Sequence, residues 1–152
     1  MVEFVVHYGA CNDGWNESFH SVEKAVKFAR EVAPEHEWCW IDFYGGFEGL
    51  PRLPKYNICQ ATKTGGEWYI GDTTATEADA KAFIEKYITV GQAREKRVRE
   101  AIAKAEKDFP KTGDFLYDAL LLHLPEIDVP LTEEEAKMQE KILDLCKKMD
   151  KQ

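Results

Sequence analysis

The residues best suited to acid–base chemistry in this chain are His7, Asp13 and Asp72, each set in or beside a run that ends like a strand. Two carboxylates and an imidazole on one edge would serve general acid–base work on a small ligand. A nucleophilic alternative pairs a thiol with a base, and His7, Asp42 and Cys59 share a sheet face if the strand registers cooperate. No local motif surrounds any of the four cysteines, however, and small buried thiols are ordinary core residues. His36 and Cys39 stand three apart, a spacing that a strand sends to opposite faces, and no second ligand pair follows. No metal site and no cofactor are therefore expected. The sequence contains no phosphate-binding glycine loop, no H-E-x-x-H and no G-x-S-x-G.

Binding chemistry is written more plainly than catalysis. Residues 37–47, EWCWIDFYGGF, form the most aromatic stretch of the chain. Alternation places Cys39, Ile41 and Phe43 on one face and Trp38, Trp40, Asp42 and Tyr44 on the other. The first face reads as core. Two indoles, a phenol and a carboxylate are unusual for a solvated face, so the second requires a cover: helices, another subunit or a ligand.

The elements that must hold these groups follow from periodicity and breakers. Residues 2–9 read as a strand and 10–18, ACNDGWNES, as a loop. Ser21 caps a helix whose stripe is Val22, Ala25, Val26, Ala29, Val32 and Ala33, ended by Pro34. A central strand spans 37–44, and Gly45-Gly46 ends it. Two strand-like runs flank Thr64-Gly65-Gly66, and a Gly65-Gly66 turn would set Thr62 opposite Tyr69, Ala61 opposite Ile70 and Cys59 opposite Asp72. Thr76 with Asp79 opens a further helix that Gly91 is expected to break. Beyond it come a helix over QAREKRVREAIAKAEKDF, a short apolar helix at 114–124, and a last helix capped by Thr132 and Glu135 that buries Met138, Ile142, Leu145, Cys146 and Met149. The charged cluster at Arg94, Lys96, Arg97 and Arg99 reads as a solvated helix face.

The expected fold is α+β: a four-stranded mixed sheet in the order β-α-β-β-β-α, followed by a helical C-terminal half. Residues 1–90 form the sheet-bearing region and 91–152 a helical region packed on it, covering at least part of the aromatic face. If the first two strands are parallel neighbours, the loops at 10–18, 45–54 and 71–76 converge on one edge. That edge, with the nearby aromatics, supplies the expected binding residues: Asn12, Asp13, Trp15, Asn16, Trp38, Trp40, Tyr44, Glu48, Arg52 and Asp72.

Composition narrows the partners. The net charge of −8 across 152 residues argues against nucleic acid, which demands a basic surface, and suits a protein partner with a basic one. The longest apolar run, ALLL at 119–122, is too short for a membrane span. Met1-Val-Glu-Phe leads directly into a strand-like run without a basic segment, so a cytoplasmic location is expected. The preferred function is a small acidic, non-enzymatic interaction protein of inhibitor or adaptor type, with self-association through the C-terminal helices as a further expectation. The alternative is a small-ligand-binding protein or enzyme using Asp13, Asp72 and His7.

Overall fold

A computed structural model describes residues 1–108, 113, 114 and 129–150. The chain is α+β, with an antiparallel sheet and a helical C-terminal half. The strands are β1 (Val2–Ala10), β2 (Asp13–Phe19), β3 (Trp38–Gly45), β4 (Leu53–Thr62), β5 (Gly65–Ile70) and β6 (Thr73–Ala75), and the helices are α1 (Val22–Val32), α2 (Glu77–Asp108) and α3 (Glu133–Asp150). Sheet order is β2-β1-β3-β4-β5-β6, with every neighbouring pair antiparallel.

Six strands rather than four make this sheet, and it is not mixed. The two additions, β2 and β6, lie in segments expected to be loops. Both are edge strands, which pair on one side only and so need no apolar alternation to be stable. The insertion of β2 also reverses the expected relation of β1 to β3. The chain turns back through β2 before entering α1, so the helical crossover joins β2 to β3 and strides over β1, which runs antiparallel to both.

The β4–β5 turn is Lys63-Thr64, with Thr62 opposite Gly65 and Cys59 opposite Trp68, a four-residue slip from the expected register. An even slip leaves every side chain on its expected face. The positive-φ requirement falls on Gly65, at +147°, and the Thr62 hydroxyl donates to its carbonyl at 2.8 Å.

Capping residues define the helix starts as the sequence indicated. Ser21 accepts from the Lys24 amide, Thr76 from the Asp79 amide, and Thr132 and Glu135 cap each other's backbone reciprocally. α2 nevertheless runs through Gly91 unbroken, because the ring of Phe47 rests where a side chain at 91 would stand: a Cβ there would lie 2.6 Å from Phe47 Cε2. The glycine is therefore a packing residue inside a helix. The 90/91 division falls within this helix, and the core draws residues from both sides of it.

The three described helices, α1, α2 and α3, pack on one face. Phe4, Val6, Cys39, Ile41, Phe43 and Trp68 of the sheet meet Val22, Ala25, Val26 and Ala29 of α1, Ala80, Phe83, Ile84 and Tyr87 of α2, and Met138, Ile142 and Leu145 of α3. Burying a Val, Leu, Ile or Phe side chain is worth about 1.5–3 kcal/mol, so this interface dominates stability. The β3–β4 loop is stitched to it through Phe47 on Tyr87 (ring centroids 5.5 Å apart) and the Tyr87 hydroxyl on the Pro51 carbonyl. Thus α1, α2 and α3 leave the aromatic face without a cover of their own. Residues 115–124 of the helix expected at 114–124 lie outside the described residues.

Two arginines of the supposed solvated cluster are structural. Arg94 is 7% exposed, and it and Arg97 both reach Glu135, itself 2% exposed, and the Pro130 carbonyl. Burial raises the Glu135 pKa, but the Arg97 hydrogen bond, the Thr132 amide and the two guanidinium charges outweigh it and hold the carboxyl below its ordinary value. This knot pins α3 to α2.

Candidate functional site

The face opposite α1, α2 and α3 carries a row built by period-two alternation from β1 and β3. At its start the Trp38 indole packs over two cross-strand glycines, Gly9 of β1 and Gly14 of β2. A Cβ on Gly9 would stand 2.7 Å from Trp38 Cη2, and one on Gly14 2.6 Å from the same atom. Only glycine at both positions allows the indole to reach across β1 to the edge strand.

Trp38 is followed by Trp40, with centroids 4.7 Å apart, and Trp40 stacks on the His7 imidazole at 5.5 Å with the planes inclined by 22°. Beside this stack lies Asp42, 2% exposed. Its Oδ2 accepts from Trp40 Nε1 at 3.3 Å and from the Tyr44 hydroxyl at 3.5 Å. His7 Nε2 lies 3.2 Å from the same oxygen in a geometry too oblique for a hydrogen bond. Asn57 faces Asp42 from β4, and its buried Oδ1 has no hydrogen-bond partner among the described residues. The result is a buried carboxylate flanked by the Trp40 indole, the His7 imidazole and the Tyr44 phenol.

A second aromatic group sits at the same edge on the helix-bearing face. Trp15 stacks with Tyr8 and meets the edge of His36, each at 6.0 Å, yet remains 54% exposed. The adjoining Cys11-Asn12 turn, with Cys11 at φ +53°, is held by Glu37, which accepts from the Cys11 amide at 3.0 Å and from its thiol. β1, β2 and β3 contain no Lys or Arg, while Glu3, Asp13, Glu17 and Asp42 all lie on them.

The expected three-loop edge is divided. Glu48, Arg52 and Asp72 lie at the end of the sheet where β3 finishes and β5 turns into β6; Asn12 and Asp13 lie at the opposite end, beside the start of β3. The antiparallel relation of β1 and β3 causes this, since it sends their C-terminal ends apart. Asn16 stands opposite His7 on the aromatic face, and Trp15 turns to the other. Trp38, Trp40 and Tyr44 are the members of the expected set that the fold brings into one row. Asp13, Asp72 and His7 do not meet, so the acid–base reading loses its constellation.

The thiol reading loses its geometry as well. Cys59 pairs with Ile41 and Trp68 on the core face, behind the sheet from His7 and Asp42. Burial pushes its thiol up to about 12 and that of Cys39 to about 11, which leaves both protonated at neutral pH. No group of three or more potential metal ligands gathers among the described residues. Two surface hollows, along the outer side of α3 and between α2 and the start of α3, contain none of the expected site residues. No described helix is long and apolar enough to cross a membrane.

Sequence reasoning missed Gly9, Gly14 and Glu37 as supports of the row and its edge. Two glycines flanking an Asn-Asp turn were the available signal, legible only once β2 is known to be a strand. No protein-family model, curated protein or solved structure matches this chain.

Proposed function

We propose that this chain is a non-enzymatic protein-binding module, of adaptor or inhibitor type, whose contact surface is the aromatic face of the sheet. One observation carries the reading: Trp38, Trp40, His7 and Tyr44 form a row around the buried Asp42 on the face that α1, α2 and α3 leave alone. Indoles and phenols combine large contact area with few rotatable bonds, which is why they dominate interface hot spots. A carboxylate already fixed by its neighbours adds polar selectivity without being ordered on binding. The shortage of basic groups on β1–β3 selects a partner with a basic surface and disfavours nucleic acid.

Affinity capture from native host lysate, comparing the parent with Trp38→Ala and Trp40→Ala, tests this reading. The expected result is a partner retained by the parent and lost by both variants, with the far-ultraviolet spectrum unchanged. Identical retained proteins on all three baits would remove the aromatic face from the function.

A further inference from the structure

We propose that β2 is a docking edge for a basic, extended segment of the partner, which adds to the sheet as a seventh strand. The inference rests on the protein-binding reading above and specifies how the partner is held.

The two edges of the sheet differ in a way that matters for strand addition. β6 is three residues long and too short to template a partner. β2 is seven residues long, pairs with β1 at every position from Asp13 to Phe19 without a bulge, and contains neither proline nor lysine. Among the described residues it has no neighbour on its outer side, and six of its seven residues are exposed. Native sheets usually blunt such an edge with lysine, proline or a bulge. Here the only blunting groups are Asp13 and Glu17, which repel acidic strands and attract basic ones.

The side chains at this edge fit such a ligand on both faces. Asp13, Trp15 and Glu17 alternate along the helix-bearing face, an acidic–indole–acidic series at the two-residue period of an added strand. Arginine or lysine at alternate ligand positions would lie against these carboxylates and over the exposed Trp15 ring. On the other face, Trp38 reaches across Gly9 to Gly14 on β2 itself. It therefore stands about one strand spacing, ~4.8 Å, from an added strand and would contact the ligand's intervening side chains. The two glycines that admit the indole thus make the edge two-sided, with main-chain hydrogen bonds between the two grips.

A second copy of the chain is the competing occupant. Antiparallel self-pairing centred on Trp15 would set Asp13 against Glu17 and is repulsive, whereas pairing centred on Asn16 avoids that clash, so the oligomeric state belongs in the test.

The probe is a peptide alternating Arg and Thr, seven residues long to match β2, titrated into the full chain while tryptophan fluorescence is followed. The proposal expects binding by the parent and none of the corresponding Glu–Thr peptide. Asp13→Lys/Glu17→Lys should weaken binding roughly tenfold or more, and the neutral Asp13→Asn/Glu17→Gln by a smaller factor with the spectrum of the fold unchanged. Main-chain methylation supplies the decisive arm, because the inward amides of an added strand share one parity. Methylating one alternate set of peptide amides should abolish binding; methylating the other should leave it unchanged. Equal binding by both methylated forms would reduce the interaction to bulk charge attraction and overturn the proposal, as would no binding to the parent. A parent that sediments as a dimer and is not dissociated by the peptide would assign the edge to self-pairing. None of these failures touches the capture experiment on Trp38 and Trp40, which tests the parent reading separately.

Discussion

Replacing Gly91 with alanine sets two effects of opposite sign against each other. On helix propensity alone the change stabilises, since glycine in a helix interior costs about 1 kcal/mol relative to alanine. The structure predicts that packing wins. The new methyl would lie 2.6 Å from Phe47 Cε2, well inside contact distance, and Phe47, only 7% exposed, is held between Gly91 and Tyr87. Overpacking of this kind costs about 1–3 kcal/mol. If the ring is expelled instead, the lost burial costs about 1.5–3 kcal/mol. Net destabilisation of about 1–2 kcal/mol is expected, which for a chain of this size lowers Tm by roughly 2–8 °C. Thermal unfolding followed by circular dichroism provides the measurement, with urea unfolding as a second probe. The contrast with a Phe47→Ala background makes the reasoning refutable: once the ring is gone, Gly91→Ala should stabilise by about 1 kcal/mol. A higher Tm for Gly91→Ala alone, or the same sign in both backgrounds, would show that Phe47 does not rest on this glycine.

Glu135→Ala should cost about 3 kcal/mol, because it strands Arg94 and Arg97 without their shared carboxylate; a urea midpoint within error of the parent would contradict this. Since the Glu135 pKa is lowered on folding, its contribution is complete above the unfolded value of about 4.3 and is lost as pH falls toward the depressed folded value. The stability gap between the parent and Glu135→Gln should accordingly be constant from pH 7 to about 5 and close below that. Among Cys11, Cys39 and Cys59, a thiol reagent at pH 8 should modify the exposed Cys11 rapidly and spare the other two until the chain unfolds; fast loss of Cys59 in the folded protein would contradict its burial. Gly65→Val should cost about 1–3 kcal/mol through its positive φ, and an unchanged urea midpoint would show that the β4–β5 turn does not demand that conformation.

Local physics settled a good deal of this protein from the sequence alone. The alternation in WCWIDFYG fixed which aromatics share a face, because a strand has no other way to dispose consecutive side chains. Ser21, Thr76 and Thr132 marked three helix starts, because a capping hydroxyl answers amides only a few residues away. Tertiary structure decided whatever depended on a distant partner. β2 is a strand because β1 offers it a ladder, and nothing in DGWNESF announces that. Gly91 is tolerated within α2 because a ring more than forty residues earlier in the chain occupies its missing side chain. Arg94 and Arg97 are buried or half-buried because Glu135 and Pro130 meet them from across the helix pair. The site follows the same division: the row's membership was legible in β3, but its support by Gly9 and Gly14, the union of His7 with Asp42, and the placing of Asp13 and Asp72 at opposite ends of the sheet all followed from strand pairing, which joins residues the sequence keeps far apart.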